Sequence, residues 1–428
     1  MQGEPMSSTI SRRKLLRTGG QAFIAGVVAV CGGPAPEAKS SSKASAKGVD
    51  YYQKLGVTPF INAAGTYTVL SASTMPEEVQ AAISLAARQP VNLNELLDAS
   101  GEYLAKRLRC EAALVTAGAA AALVVGTAAC VTRGNDSAIL NIPTDMSALK
   151  NEVIIQKAHR YGYDHALRNC GIRFVEVEPL EQYEQAFNDH TVMTHFFNAG
   201  EGQISREDWV RVAHQHGIPC FNDAAADVPP ISNLWNYTQM GFDLVTFSGG
   251  KGLRGPQCTG LLLGRKDLID AAKKNNSPNS NTIGRGMKVA KEEIIGLVAA
   301  VDWFLSQDDG AMEAEYRKRA ERIAGQLKNI PTVQTQVFIP TVAANHVPHL
   351  LITYDQNRIQ ITGAEVMKKM REGKPRIELN PSTGGAPASA GLPGGPNTIV
   401  VGVWMMQPGE DVIVAQRLRE VLQSAVRA

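Results

Sequence analysis

Phe242-Asp243-Leu244-Val245-Thr246-Phe247-Ser248-Gly249-Gly250-Lys251-Gly252 decides how this chain is read. An apolar run that predicts a short strand stops in a glycine-rich turn, and the turn carries one lysine. Twenty-eight residues before that lysine, Ile218-Pro219-Cys220-Phe221-Asn222 makes an equally apolar approach and ends in Asp223. In an open α/β sheet, strand ends of this kind gather the ligands. An amine at Lys251 is a competent Schiff-base nucleophile once its surroundings depress its pKa. A carboxylate at Asp223 suits the protonated nitrogen of a flat heterocycle; its alternative use is to cap the following turn.

Outward from these two positions, eight apolar runs predict strands: Ala112–Thr116, Ser137–Asn141, Glu152–Gln156, Arg173–Val177, Val192–Phe197, Ile218–Asn222, Leu244–Phe247 and Thr259–Leu263. Helical patterns between them argue for an α/β domain built on a large, mostly parallel sheet, assigned to residues 98–305. Residues 47–97 read as an N-terminal arm with helices, one starting at Pro76-Glu77-Glu78 and one carrying the leucine stripe of Asn92–Arg109. Residues 306–428 predict a small α/β C-terminal domain with strands at Val333–Phe338, His349–Tyr354, Arg376–Asn380 and Thr398–Met405.

The candidate site residues cluster around those strand ends. Thr116-Ala117-Gly118-Ala119-Ala120 follows a strand and opens a small-residue helix, so free N–H groups at Gly118, Ala119 and Ala120 make a phosphate cradle, with hydroxyls at Thr116 and Ser248. Ala225 is small enough to pack on one face of a ring. His159, with His165 as the weaker candidate, is placed to stack on the other face. The polar loop Asn281–Lys288 brings Thr282 and Arg285 toward a ligand or a neighbouring subunit's site. Arg285 or Arg376 is suited to a bidentate contact with a substrate carboxylate. Together these groups suggest an enzyme that holds pyridoxal 5′-phosphate as a Schiff base on Lys251.

Composition bounds the remaining classes. A chain of 428 residues with 44% hydrophobic content can bury a large core. Beyond the N-terminal region no uncharged apolar run approaches the ~18 residues of a membrane span. Residues 1–46 differ from the rest: Ser11-Arg12-Arg13-Lys14-Leu15-Leu16-Arg17 precedes the apolar segment Ala22–Val30 and a small-residue cleavage site at Ala44-Ser45-Ala46. That order matches an export signal of twin-arginine type, with periplasmic delivery through the export machinery expected and a cytoplasmic protein as the alternative. Six of the 43 Lys/Arg and two of the 41 Asp/Glu lie in this segment, so the remainder carries 37 basic and 39 acidic residues, a net charge of −2. Without a concentrated basic surface, no nucleic-acid partner is expected. The cysteines after the signal are scattered and read as buried free thiols. The eight histidines show no convincing ligand spacing, and no metal site is expected.

Residues 51–428 resemble the fold-type I pyridoxal-phosphate enzymes. More narrowly they resemble the selenocysteine synthase / D-glucosaminate-6-phosphate ammonia-lyase group, on Ile61-Asn62-Ala63-Ala64-Gly65-Thr66, Glu111–Ala120, Ser248-Gly249-Gly250-Lys251 with Gly255-Pro256-Gln257, and Gly284-Arg285-Gly286-Met287-Lys288. The resemblance implies a seven-stranded-type sheet, a Schiff base on Lys251, a pyridine-nitrogen partner in Asp223, phosphate binding around Gly118, and a homodimer or larger homo-oligomer. It also implies a small-molecule substrate, an amino acid or amino sugar acid, and α,β-elimination of the ammonia-lyase type. Racemisation, transamination, a selenocysteine-synthase-like transfer and a catalytically inactive periplasmic binding protein stand as alternatives.

Overall fold

The computed structural model describes residues 49–388 and 391–427, and the export signal read in residues 1–46 lies outside the described residues. The helix Tyr51–Leu55 belongs to a unit ending at Gly56; Asp50 caps it by accepting from the Gln53 N–H at 3.1 Å. Residues 57–428 form the other unit.

Its first eight strands are β1 (Ile61–Ala63), β2 (Ala112–Thr116), β3 (Glu152–Gln156), β4 (Arg173–Val177), β5 (Thr191–Phe197), β6 (Cys220–Asp223), β7 (Leu244–Ser248) and β8 (Gly260–Gly264). Seven of them form one sheet in the order β2-β8-β7-β6-β5-β3-β4. All neighbours from β7 to β4 are parallel, and β8 runs antiparallel to both β7 and β2. Every residue of β3 and β8 is buried, as expected of strands covered on both faces by helices. This is the expected mostly parallel α/β architecture.

One expected strand is a helix. Asp136–Asn141 forms a short α-helix because Asn135 caps it, its side-chain oxygen accepting from the Ala138 N–H at 3.0 Å. The buried residues Ala138 and Ile139 lie on one side of that turn, a pattern that five apolar-looking letters cannot distinguish from a buried strand.

The helix Ala119–Thr132 follows β2 and is buried along twelve of its fourteen residues, as a helix apolar all round must be. Gly118 precedes it with φ of 97°, in the left-handed region that favours glycine. Gly260 is glycine for a different reason: a Cβ there would strike the Gly118 carbonyl group and the Ala119 nitrogen. The start of β8 therefore presses against the turn that launches the helix and fixes its position.

A second core holds β9 (Gln334–Phe338), β10 (His349–Thr353), β11 (Ile377–Leu379) and β12 (Thr398–Gly402) with the helices Asp309–Leu327, Gly363–Glu372 and Glu410–Gln423. β12-β10-β9 is antiparallel, and β11 pairs in parallel with β1. Ile61 and Ala63, within the segment read as an N-terminal arm, are buried in this second core. Thr362 opens the helix Gly363–Glu372 with a capping box, Thr362 Oγ1 accepting from Glu365 N at 3.2 Å and Glu365 Oε2 accepting from Thr362 N at 2.8 Å. Such a cap contributes about 0.5–2 kcal/mol. Among the described residues no helix is long and apolar enough to cross a membrane.

Candidate active site

A cavity of about 590 Å³ opens at the carboxyl ends of the parallel strands. Its wall includes Gly118, Ala119, Ala120, Asp223, Ala225, Ser248 and Lys251, so seven of the expected site residues share one space. Lys251 sits one turn beyond β7. A Cβ on Gly252 would strike the Val228 carbonyl, and one on Gly250 would strike the Gln257 backbone. The glycines around the lysine thus permit close packing of the turn, and Ser73 Oγ ties it down by donating to the Gly250 carbonyl at 2.6 Å.

Burial lowers the Lys251 pKa below the ordinary lysine value, while the carboxylates of Asp223 and Asp227 pull it back up. The net result is an amine closer to its neutral, nucleophilic form. Burial raises the Asp223 pKa; the Tyr161 hydroxyl, the Ala225 N–H and the charge on Lys251 oppose the rise. Asp223 Oδ1 accepts from Ala225 N at 3.0 Å, and Oδ2 accepts from the Tyr161 hydroxyl. Each carboxylate oxygen keeps lone-pair capacity beyond these bonds.

At the start of Ala119–Thr132 no side chain caps the helix, and the first i→i−4 bond there runs from Ala122 N to the Gly118 carbonyl at 3.1 Å. The preceding N–H groups are the free donors of a helix terminus, and Gly118, Ala119 and Ala120 line the cavity. The Thr116 hydroxyl is used locally, donating to the Gly118 carbonyl at 3.0 Å, and Thr116 lies behind the wall. Ser248 is in the wall, and its hydroxyl has no hydrogen bond among the described residues.

Several expected residues lie elsewhere. His159 is fully buried off the cavity, edge-on to Phe196 at 4.4 Å, with Nδ1 accepting from Phe197 N at 3.3 Å. Burial pushes its pKa down to about 4. The short turn Lys157–His159 directs the ring into the core, and Tyr161 takes the cavity position two residues on. Tyr161 stacks on Phe197 with ring centroids 3.8 Å apart, and its hydroxyl is 3.2 Å from His195 Nε2. Arg376 is held by buried Glu378 at 2.6 Å. The Arg285 guanidinium lies 3.5 Å from the Ser277 hydroxyl, and Thr282 Oγ1 donates to the Asn279 carbonyl at 3.4 Å. None of these three lines this chain's cavity.

Asp227 is the residue that sequence reading missed. It lines the cavity one turn beyond Asp223, with Oδ2 accepting from Asn198 Nδ2 at 2.7 Å and from the Tyr237 hydroxyl at 3.0 Å. Burial pushes its pKa up to about 7, against the pull of those two donors. The signal was present in Asp223-Ala224-Ala225-Ala226-Asp227, where the second aspartate recurs four residues after the first. Asn345, His349, Asn380 and Trp404 also reach the wall, from segments with no local signal. Among the described residues of the wall, Lys251 is the one Lys or Arg.

A desolvated amine, a buried carboxylate, a small residue beside that carboxylate and an uncapped helix start match the aldehyde, ring nitrogen, ring face and phosphate of pyridoxal phosphate. A family model described as L-seryl-tRNA selenium transferase, SelA, matches residues 60–346. The chain belongs to the SelA family. It is 31% identical over 286 residues to D-glucosaminate-6-phosphate ammonia lyase of Salmonella typhimurium (strain 14028s / SGSC 2262), covering 64% of this chain and 75% of that protein. It is 29% identical over 343 residues to a 5′-C-glycyluridine monooxygenase-decarboxylase of a Streptomyces species, covering 77% and 83%. A solved structure of D-glucosaminate-6-phosphate ammonia-lyase superposes with a TM-score of 0.73 at 26% identity, over 88% of this chain and 99% of that one. This SelA-family protein is accordingly a pyridoxal-phosphate enzyme of the lyase and transferase type, with fold-type I architecture.

Proposed function

We propose that this SelA-family protein catalyses α,β-elimination on an amino acid or amino sugar acid that carries a hydroxyl or similar leaving group at Cβ. The observation that carries the reading is the placement of Lys251, Asp223 and Asp227 in one enclosed cavity, and its similarity to an ammonia lyase over most of both chains supports the same chemistry.

When bound, pyridoxal phosphate supplies an electron sink for charge developing at the substrate Cα. Asp223 holds the ring nitrogen protonated through a carboxylate oxygen, and the Tyr161 hydroxyl keeps that carboxylate oriented. The uncapped N–H groups at Gly118–Ala120 receive the phosphate, and Ala225 leaves room for the ring. The Lys251 amine, held near its neutral form by burial, would take the Cα proton on Nζ. Asp227 holds a proton on its carboxyl near neutral pH and passes it to the departing Cβ hydroxide, which leaves as water. The enamine left by elimination gains a proton from water at Cβ, and addition of a second water to the imine so formed yields ammonia and a 2-keto acid.

Two expectations belong with this reading. The carboxylate of the substrate needs a cation, and among the described residues the cavity wall supplies none beyond Lys251, which supports a homo-oligomer in which the Thr282–Lys288 loop of a second copy, with Arg285, completes the site. Mixing Lys251→Ala with Arg285→Ala protein would then restore activity that neither homomer has. Export through the paired arginines Arg12-Arg13 is tested by N-terminal sequencing of the periplasmic protein.

The deciding experiment is mass spectrometry of products from a panel of β-hydroxy amino acids and amino sugar acids, with and without a keto-acid acceptor and with and without oxygen. Keto acid and ammonia in equal amounts, independent of acceptor and oxygen, are expected. Products that require an acceptor or oxygen would replace elimination with transamination or oxidative decarboxylation.

A further inference from the structure

Three side chains of different donor chemistry converge at the amino ends of the central strands β6 and β7, the end of the large sheet opposite the cavity, and the proposed reaction uses none of them. His214 ends the helix Arg206–Gln215, Cys220 opens β6, and Asp243 immediately precedes β7. His214 Nε2 is 3.0 Å from Asp243 Oδ2, Cys220 Sγ is 3.3 Å from the same oxygen, and Sγ is 3.9 Å from Nε2. The carboxylate and thiol are buried, while the imidazole side chain is 45% exposed and opens the cluster to solvent.

These spacings match one face of a small tetrahedron. Zinc holds a thiolate sulfur at about 2.3 Å and imidazole nitrogen or carboxylate oxygen at about 2.0–2.1 Å. Tetrahedral angles then place sulfur about 3.5 Å from each hard ligand and nitrogen about 3.3 Å from oxygen. Each measured separation differs from these by a few tenths of an ångström, a distance the half-exposed imidazole can take up.

The carboxylate is already aimed. Cys220 N donates to Asp243 Oδ2 at 2.8 Å, and Arg265 Nη1 donates to Oδ1 at 2.9 Å, the outer hydrogen bonds that typically orient a metal ligand. A thiolate and a carboxylate together offset a divalent charge, and thiolate with imidazole selects zinc-like metals over magnesium or calcium.

We propose that His214, Cys220 and Asp243 form a binding site for a zinc-class divalent cation, with the fourth position open to solvent on the His214 side. Binding displaces the Cys220 thiol proton to solvent and ties the helix end to β6 and β7. Cys220 and Asp223 lie on the same strand, about 10 Å apart at the usual rise per residue, so the cation stiffens the strand that carries the cofactor's carboxylate. Spacing along the sequence gives no hint of this site, because its ligands are six and 23 residues apart.

The test is cobalt substitution of the cofactor-loaded protein after reduction and chelator treatment. One Co²⁺ per chain is expected, with a near-ultraviolet thiolate-to-cobalt band and the intense visible bands of a four-coordinate ion. His214→Ala, a change at a half-exposed position that leaves the core intact, should weaken binding by more than the 10–100-fold typical of an outer-sphere partner. Cys220→Ser should remove the thiolate band, and Cys258→Ser should leave it unchanged. Absence of bound cobalt, a six-coordinate spectrum without the thiolate band, equal affinity in His214→Ala, or loss of the band in Cys258→Ser would each overturn the proposal.

Discussion

The two ends of β6 differ in how their polar groups are satisfied. At the carboxyl end Asp223 meets one tyrosine hydroxyl and one N–H, faces an enclosed cavity, and shares it with a lysine and a second carboxyl. At the amino end Asp243 meets an arginine, a histidine, a thiol and an N–H. A carboxylate with lone pairs to spare in a low-dielectric space is a poised reagent; one surrounded by donors is a structural anchor or a metal ligand. Substitutions at the first end should therefore change turnover in a folded protein, and those at the second should change stability or metal affinity.

The largest effect is expected at Lys251. Lys251→Ala should remove the absorbance of the lysine-bound cofactor and lower turnover by ~10³-fold or more, since both Schiff-base formation and proton transfer run through that amine; a thermal melt near wild type would show that the fold survives. Retained activity would erase the contrast between the two ends.

Asp227→Asn should lower kcat by on the order of 10²-fold and remove the wild-type rate's fall as pH rises through about 7. The same group gives a stability signature. Its folded pKa is raised above the unfolded value, so the native state binds the extra proton; stability is greatest below pH ~4 and declines as pH rises toward about 7. Asp227→Asn should flatten that decline in pH-dependent urea melts of the two proteins compared in the same cofactor state.

At the opposite end, Asp243→Asn should cost about 1–3 kcal/mol by weakening bonds from Cys220 N and Arg265, read as a lower urea midpoint, with kcat per folded molecule close to wild type. A large kcat loss with unchanged stability would reverse the assignment of the two ends. The smallest change in overall stability is expected for Tyr161→Phe, which removes one donor from Asp223 and leaves the Ala225 N–H in place. A hydrogen bond to a charged group contributes about 1.5–3 kcal/mol, so cofactor affinity should fall and the cofactor's absorbance should titrate at a shifted pH while the melting temperature moves little.

The residues that were legible share one property: each lies at or within three residues of the carboxyl end of a strand whose sequence is a bounded apolar run. Ala112–Thr116, Glu152–Gln156 and Arg173–Val177 form strands with the expected limits, and Gly118, Asp223 and Lys251 follow from strand ends. Ser137–Asn141 failed because a cap at Asn135 outweighed a short apolar run. His159 was expected to stack on a ring face, and Tyr161 was missed, because letters do not reveal which way a turn after β3 points its side chains. Arg376 was a candidate for the substrate carboxylate, yet Glu378, two residues on and buried, pairs with it.

By itself, the chain's order of apolar runs, glycine turns and acidic or basic strand ends determined the α/β class, the parallel sheet and the lysine–aspartate pair, since those depend on local periodicity and on the rule that parallel strands present their carboxyl ends together. Only the tertiary structure decided that Asp227 lines the same cavity as Lys251, that Tyr161 reaches that cavity and meets Asp223 while His159 turns into the core, and that His214, Cys220 and Asp243 converge. The physical reason is that side-chain direction after a strand, and contact between distant segments, are set by packing of the whole core rather than by neighbouring residues.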